Sequence, residues 1–195
     1  MVDKTRRNAE TQKRDRRLGP GVPVIGNRLP ARRETINPRL GDIWQVLATV
    51  TDPEIPALSV VDMGIIADVR IAETGVLVEL TPTFVGCPAI DVIRQSIVLA
   101  LQDAGEANAV VNIIFDPPWT SDRITAAGRE NLRRFGLAPP SSSPCTGELT
   151  EPATVACPFC GSMQTDLESL FGPTLCRSIH YCRACLQSFE HFKAI

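Results

Sequence analysis

From residue 37 onward, hydrophobic and polar positions follow two rhythms. Leu40, Ile43, Trp44, Leu47 and Val50 recur at helical spacing behind Asn37-Pro38, a capping residue followed by a proline suited to the first helical position. Asp52-Pro53-Glu54-Ile55-Pro56 must break that helix, because each proline disfavours helix in the residue before it. Period-two alternation then predicts strands. Ala67, Val69 and Ile71 share one face, Val76, Val78 and Leu80 share another, and Thr74-Gly75 turns the chain between them. Ile90, Ile93, Ile97 and Leu101 form a helical stripe. Val111, Ile113 and Phe115 alternate in a third strand ending at Asp116-Pro117-Pro118. A last helix carries Ile124, Ala127, Leu132 and Phe135 and stops at Gly136. The order α-β-β-α-β describes a small α+β layer, one sheet with helices on one face.

The rhythm fails at both ends of this layer. Residues 1–36 are polar, Arg-rich and interrupted by Gly19, Pro20, Gly21, Pro23 and Pro30, which predicts a disordered basic arm. The α+β domain is expected over 37–137. Pro139-Pro140-Ser141-Ser142-Ser143-Pro144 marks a linker over 138–152, and a cysteine module follows over 153–195. Such a linker implies two independent cores.

Seven cysteines sharpen the picture. Cys157-Pro158-Phe159-Cys160-Gly161 and Cys182-Arg183-Ala184-Cys185 are two C-x-x-C knuckles with 21 residues between them. The spacing is slightly above the usual gap of about 15–20 residues. Each knuckle can aim two thiolates at one ion, and together they supply the four sulfurs of a closed structural zinc site in a C-terminal zinc ribbon. Four thiolates leave no open position for catalytic water. A redox role needs only one pair, usually in a βαβ setting. So short a module would draw much of its folding free energy from the metal. Cys176 is expected to be a small buried hydrophobe, with a labile thiol or exchange into the metal site as the alternatives. Cys145 receives no role, and His180 and His191 are expected to pack rather than ligate.

Charge and hydropathy exclude several classes. Residues 1–39 hold 11 of the 20 Lys and Arg against four acids, so the body from residue 40 onward is acidic, with a net charge of −9. That argues against a nucleic-acid partner for the body. The longest strictly apolar run is Ile97-Val98-Leu99-Ala100-Leu101, far short of the about 20 residues that a bilayer span takes. No membrane association and no secretory signal are expected, and the reducing cytoplasm is the expected compartment.

In the main domain, Thr81-Pro82-Thr83-Phe84-Val85-Gly86-Cys87-Pro88 joins the second strand to the striped helix. With Pro88 as first helical residue, Cys87 takes the N-cap, where free N–H groups and the helix dipole would favour a thiolate. Cys87 is therefore the candidate reactive thiol or transient metal contact, unless it is simply a structural cysteine at a strand–helix corner. Asp52 and Glu54, on a proline-stiffened loop, are weaker candidates beside it. Trp119, among turn residues, is either a partner contact or a core residue.

These residues carry a resemblance. Asp52-Pro53-Glu54-Ile55-Pro56, Asp62-Met63-Gly64-Ile65, Thr81-Pro82-Thr83 with Gly86-Cys87-Pro88, Pro117-Pro118-Trp119-Thr120 and the cysteine module with Phe171-Gly172-Pro173-Thr174 resemble the PaaD family of the phenylacetyl-CoA epoxidase, or oxygenase, system. The likeness spans residues 38–195, and its first part is also similar to the SufT-like group tied to iron–sulfur assembly. The resemblance implies an accessory, non-catalytic component of a multicomponent oxygenase, partnered by the other subunits. It further implies maturation or repair of iron or iron–sulfur centres through transient contact at Cys87. A structural adaptor docking through the zinc ribbon is the alternative. The chain lacks the Glu-x-x-His helices of a di-iron oxygenase and a dinucleotide fingerprint, so neither the catalytic nor the reductase component is indicated.

Overall fold

The computed structural model describes residues 38–140 and 154–194. The arm at 1–36, Asn37, most of the linker and Cys145 lie outside the described residues. The chain runs α1 (Pro38–Thr49), β1 (Ile66–Ala72), β2 (Gly75–Leu80), α2 (Ile90–Asp103), β3 (Val110–Ile113), α3 (Ala126–Phe135), β4 (Leu137–Ala138), β5 (Thr165–Ser169), β6 (Arg177–Cys182) and β7 (Gln187–Phe192). This is the α+β architecture that the two rhythms predict, with a β ribbon after it.

The first sheet has the order β1-β2-β3. β1 and β2 are an antiparallel hairpin, whereas β2 and β3 are parallel, so α2 must serve as the crossover between them. Val76, Val78 and Leu80 all face the core, as alternation requires. β1 follows it only in part. Val69 is buried and Ile71 packs partly buried against the core, as alternation requires, but at the register irregularity between Ile66 and Asp68 it is Ile66 that is buried, with Ala67 only half-buried. In β3 Val111 is buried, but Phe115 lies beyond the strand and is 57% exposed.

Ile43 and Leu47 of α1 and Ile93, Ile97 and Leu101 of α2 cover the sheet. The last helix differs from its expected stripe: Leu132 and Gly128 are buried, Ile124 is buried ahead of the helix, and Ala127 and Phe135 face solvent. Close packing explains Gly128, where a Cβ would stand 2.8 Å from the Asp62 carbonyl oxygen. Thr125 caps α3 by accepting from the Gly128 N–H at 2.9 Å. Gly136 ends it at φ 90°, a left-handed turn favourable to glycine.

The segment between α1 and β1 contributes core instead of merely connecting. Ile55, Leu58, Val60, Met63 and Ile65 are each at most 2% exposed. Trp119 is a core residue, 3% exposed, and its indole N–H donates to the Met63 carbonyl at 3.0 Å.

The second sheet has the order β4-β7-β6-β5. β5, β6 and β7 form an antiparallel meander, and β4, directly after α3, pairs with β7 in parallel. Phe192 of β7 is fully buried in the larger core, its ring 6.0 Å from that of Trp119. Cys176 belongs to the same core. A smaller cluster (Ala138, Val155, Cys157, Cys182 and Phe189) lies within the ribbon. The two cores are therefore not independent, and all described residues belong to one compact unit. The sequence offered no sign of this, because a Pro/Ser linker says nothing of where the chain returns.

Candidate metal and thiol sites

The two knuckles meet. Cys157 and Cys160 precede β5, Cys182 ends β6 and Cys185 lies in the β6–β7 turn, so pairing these strands brings the knuckles together. Their four sulfurs all lie within 4.8 Å of one another, with Cys157–Cys185 and Cys160–Cys182 both at 3.6 Å. Bonds of about 2.3 Å at tetrahedral angles would set sulfurs about 3.8 Å apart, so the arrangement fits one ion. The Cys185 and Ala184 backbone N–H groups aim at the Cys182 sulfur and hold its pKa at about 7. Burial and the neighbouring cysteines push Cys185 up to about 12. Four thiols this close cannot all ionise unless a cation offsets the charge. The cluster is a metal-binding site.

His180 and His191 are not among these ligands. Both are buried in the ribbon. His180 stacks on Phe189 at 5.6 Å and meets the edge of His191 at 5.4 Å, with the Ser178 hydroxyl 3.1 Å from His180 Nε2. Burial, then the charge of His180, lowers the His191 pKa to about 4.

The second site lies where three loops converge. The Asp52 carboxylate is 6% exposed and accepts from the N–H groups of Glu54 and Ile55 at 2.7 and 3.0 Å. Burial raises its pKa against these hydrogen bonds and the attraction of Arg177. Cys87 is half-buried. It is not the N-cap: α2 begins at Ile90, so Cys87 stands two residues before the capping Ala89. One dipole contact survives, from the Ala89 N–H to the Cys87 sulfur. Burial outweighs it, and Asp52, Cys176 and Glu54 add repulsion, so the thiol pKa is raised and not lowered as the cap position implied.

The structure brings Asp52 and Glu54 to Cys87 and adds two residues that the sequence did not place there. Cys176 is buried, with its sulfur 3.1 Å from the Thr174 hydroxyl. Arg177 donates to Glu190 at 2.7 Å and to the Thr174 hydroxyl at 2.9 Å, and lies 3.8 Å from Glu54. Thus an arginine of the ribbon engages a carboxylate of the first domain. No local pattern could have announced it, since Glu54 and Arg177 come from opposite ends of the fold.

An α+β layer holding a thiol and a buried carboxylate, joined to a four-cysteine β ribbon, defines a class: a mixed layer domain fused to a metal ribbon. Residues 41–114 match the model "Iron-sulfur cluster assembly protein", and residues 141–193 match "PaaD zinc beta ribbon domain". A protein of Escherichia coli (strain K12), provisionally named as the D subunit of 1,2-phenylacetyl-CoA epoxidase, is 37% identical over 158 residues, 81% of this chain and 94% of that one. The chain belongs to the PaaD family of phenylacetyl-CoA epoxidase subunits. The Fe-S protein maturation auxiliary factor YitW of Bacillus subtilis (strain 168) is 34% identical over 86 residues, 43% of this chain and 83% of that protein. A crystal structure of the domain of unknown function DUF59 from Bacillus anthracis covers 47% of this chain and 89% of its own at 27% identity, with a TM-score of 0.44. Among the described residues no helix is long and apolar enough to cross a membrane.

Proposed function

We propose that this chain is an accessory subunit of the multicomponent phenylacetyl-CoA oxygenase of aerobic phenylacetate degradation, working with its other subunits. Its role is to assist assembly or repair of their iron or iron–sulfur centres. Cys87 makes the transient contact with the cargo, and Asp52 and Glu54 support it. The observation carrying this reading is the convergence of a half-buried thiol with a buried carboxylate, within the span that matches iron–sulfur assembly proteins. The names of the epoxidase and maturation-factor relatives support the two halves of the reading. In the ribbon, Cys157, Cys160, Cys182 and Cys185 hold zinc, which suits four thiolates and supplies structure without an open coordination position.

Cells carrying Cys87→Ala test the role. They should make normal amounts of the oxygenase and reductase subunits. Those subunits should contain less iron or fewer clusters, and phenylacetate consumption should fall. A second reading, an adaptor docking through the ribbon, is favoured by exposed Phe159, Phe171, Leu175 and Leu186. Wild-type iron content and turnover in the Cys87→Ala cells, with the variant folded, would give the adaptor preference.

A further inference from the structure

The motif Phe171-Gly172-Pro173-Thr174 has no part in the metal site, yet it builds a seat for one side chain. The Gly172 N–H donates to the Arg177 carbonyl at 2.9 Å, and the Arg177 N–H donates to the Thr174 carbonyl at 3.1 Å, closing the turn ahead of β6. A Cβ on Gly172 would stand 3.1 Å from that of Arg177, so a glycine lets the two arms of the turn come this close. The Thr174 hydroxyl accepts from Arg177 Nε at 2.9 Å, and Glu190 of β7 accepts from Nη1 at 2.7 Å. Arg177 is 7% exposed and is thus held on two sides of its guanidinium. Nη2 remains, and it lies 3.8 Å from Glu54. Glu54 belongs to a loop that is fixed from within: the Asp52 carboxylate accepts from the N–H groups of Glu54 and Ile55, and the Asp52 N–H donates to the Leu58 carbonyl at 3.0 Å. An exposed ion pair holds little, because two long side chains must be ordered to make it. A buried guanidinium already set by two other partners has little freedom left to lose.

The strand that starts at Arg177 ends at the metal ligand Cys182, about 17 Å away at ordinary strand rise. β7 returns beside it, pairing Gln187 with Cys182 and Phe192 with Arg177. One end of this hairpin therefore carries a cysteine knuckle, and the other end meets the α+β layer through Arg177 and the buried Phe192. We propose that Arg177 is a positioning residue of the assembly site: it fixes the loop of Asp52 and Glu54, and the ribbon metal, by pinning the far end of the hairpin, keeps it in place. The inference rests on the assembly reading for what that loop does, which is to support the cargo contact at Cys87. It gives the ribbon a part in that step. A chain whose ribbon holds no metal presents a loosened loop, so cargo handling follows the loading of the ribbon. Removing the Arg177 charge leaves Glu54 and Glu190 without the cation that both now share.

The test is amide hydrogen exchange, read residue by residue by NMR on the full chain loaded with zinc and again after chelation. The N–H groups of Glu54 and Ile55 report the loop, and those of β2 report the layer. In the wild type, chelation should speed loop exchange roughly tenfold or more beyond any change in β2, as expected where hydrogen bonds to a charged carboxylate are released. Zinc-loaded Arg177→Gln should show the fast loop exchange already, with β2 exchange and zinc content as in the wild type, and chelation should add no further excess. Glu54→Gln breaks the same pair from its more exposed partner and should behave alike, the double variant being no worse than either single one. Arg177→Lys keeps the charge without the fork that spans Thr174 and Glu190, and should recover part of the protection. Wild-type loop exchange in zinc-loaded Arg177→Gln, or an excess on chelation that persists in that variant, overturns the proposal. Loop and β2 exchange rising equally when the wild type is chelated overturns it too, since the ribbon would then add only general stability. None of these readings involves Cys87. Their failure leaves the iron-content test of Cys87→Ala standing, and failure of that test leaves the hold of Arg177 on the loop intact.

Discussion

Replacing Phe192 by alanine should weaken the α+β layer, although Phe192 is in the last strand of the ribbon. The side chain is fully buried, belongs to the larger core and packs on Trp119. Truncating a buried phenylalanine costs about 3–5 kcal/mol in lost transfer energy and cavity. For a chain of this size a urea dependence of about 2 kcal/mol per molar is ordinary, so the midpoint should fall by about 2 M. Fluorescence of Trp119 in a Trp44→Phe background reports the layer, because this indole lies against Phe192 and is 3% exposed. Far-ultraviolet circular dichroism reports the whole, and metal content confirms that the ribbon remains loaded. Both probes should move together. An unchanged midpoint at Trp119, with only the ribbon loosened, would refute the shared core.

Two further outcomes follow from the ribbon. Cys160→Ser removes one of four gathered sulfurs, so metal content should fall well below that of the wild type; thermal melting of the α+β layer should fall with it, because Phe192 and Cys176 lie in the layer's core. Retention of the full metal load would contradict the four-sulfur assignment. Acid should also weaken the ribbon. His191 titrates at about 4 against 6.5 when free, so the unfolded chain binds the proton first; its contribution is complete above about pH 6.5 and lost as pH falls through about 4. The limit is roughly 3 kcal/mol. Measured against pH, the stability of His191→Gln should slope less over that window, and parallel slopes would exclude the imidazole as the cause.

The periodic parts of the chain were legible because each element buries one face. Ile43 and Leu47, Val76, Val78 and Leu80, and Ile93, Ile97 and Leu101 are all interior, as their spacing required. The knuckles were legible because a tetrahedral ion fixes its ligand spacing locally. What escaped depended on distant chain. The shift in β1 arises at an irregularity that alternation cannot encode. The 51–65 segment reads as breakers and prolines, yet it packs Ile55, Leu58 and Val60 against elements far away in sequence. Cys87 was misplaced by a single assumption, that Pro88 opens the helix. With the helix starting at Ile90, the dipole argument loses most of its force and burial decides the direction of the pKa.

That reversal bears on how a thiol at this position could work. A thiolate stabilised by a helix end would be charged before any cargo arrived and open to oxidation. Cys87 is instead held neutral by burial, close to Asp52 and Cys176. Ionising it without a cation would add a negative charge beside the Asp52 and Glu54 carboxylates. Under the proposed assembly role a divalent cation cancels that penalty and its departure restores it, so proton and cation compete for the Cys87 sulfur and cargo affinity rises with pH as long as the thiol remains mostly protonated. Binding that strengthens steadily from mildly acidic to alkaline solution, and flattens in Cys87→Ser, is the behaviour this competition requires. Affinity independent of pH would mean that this sulfur is not a ligand.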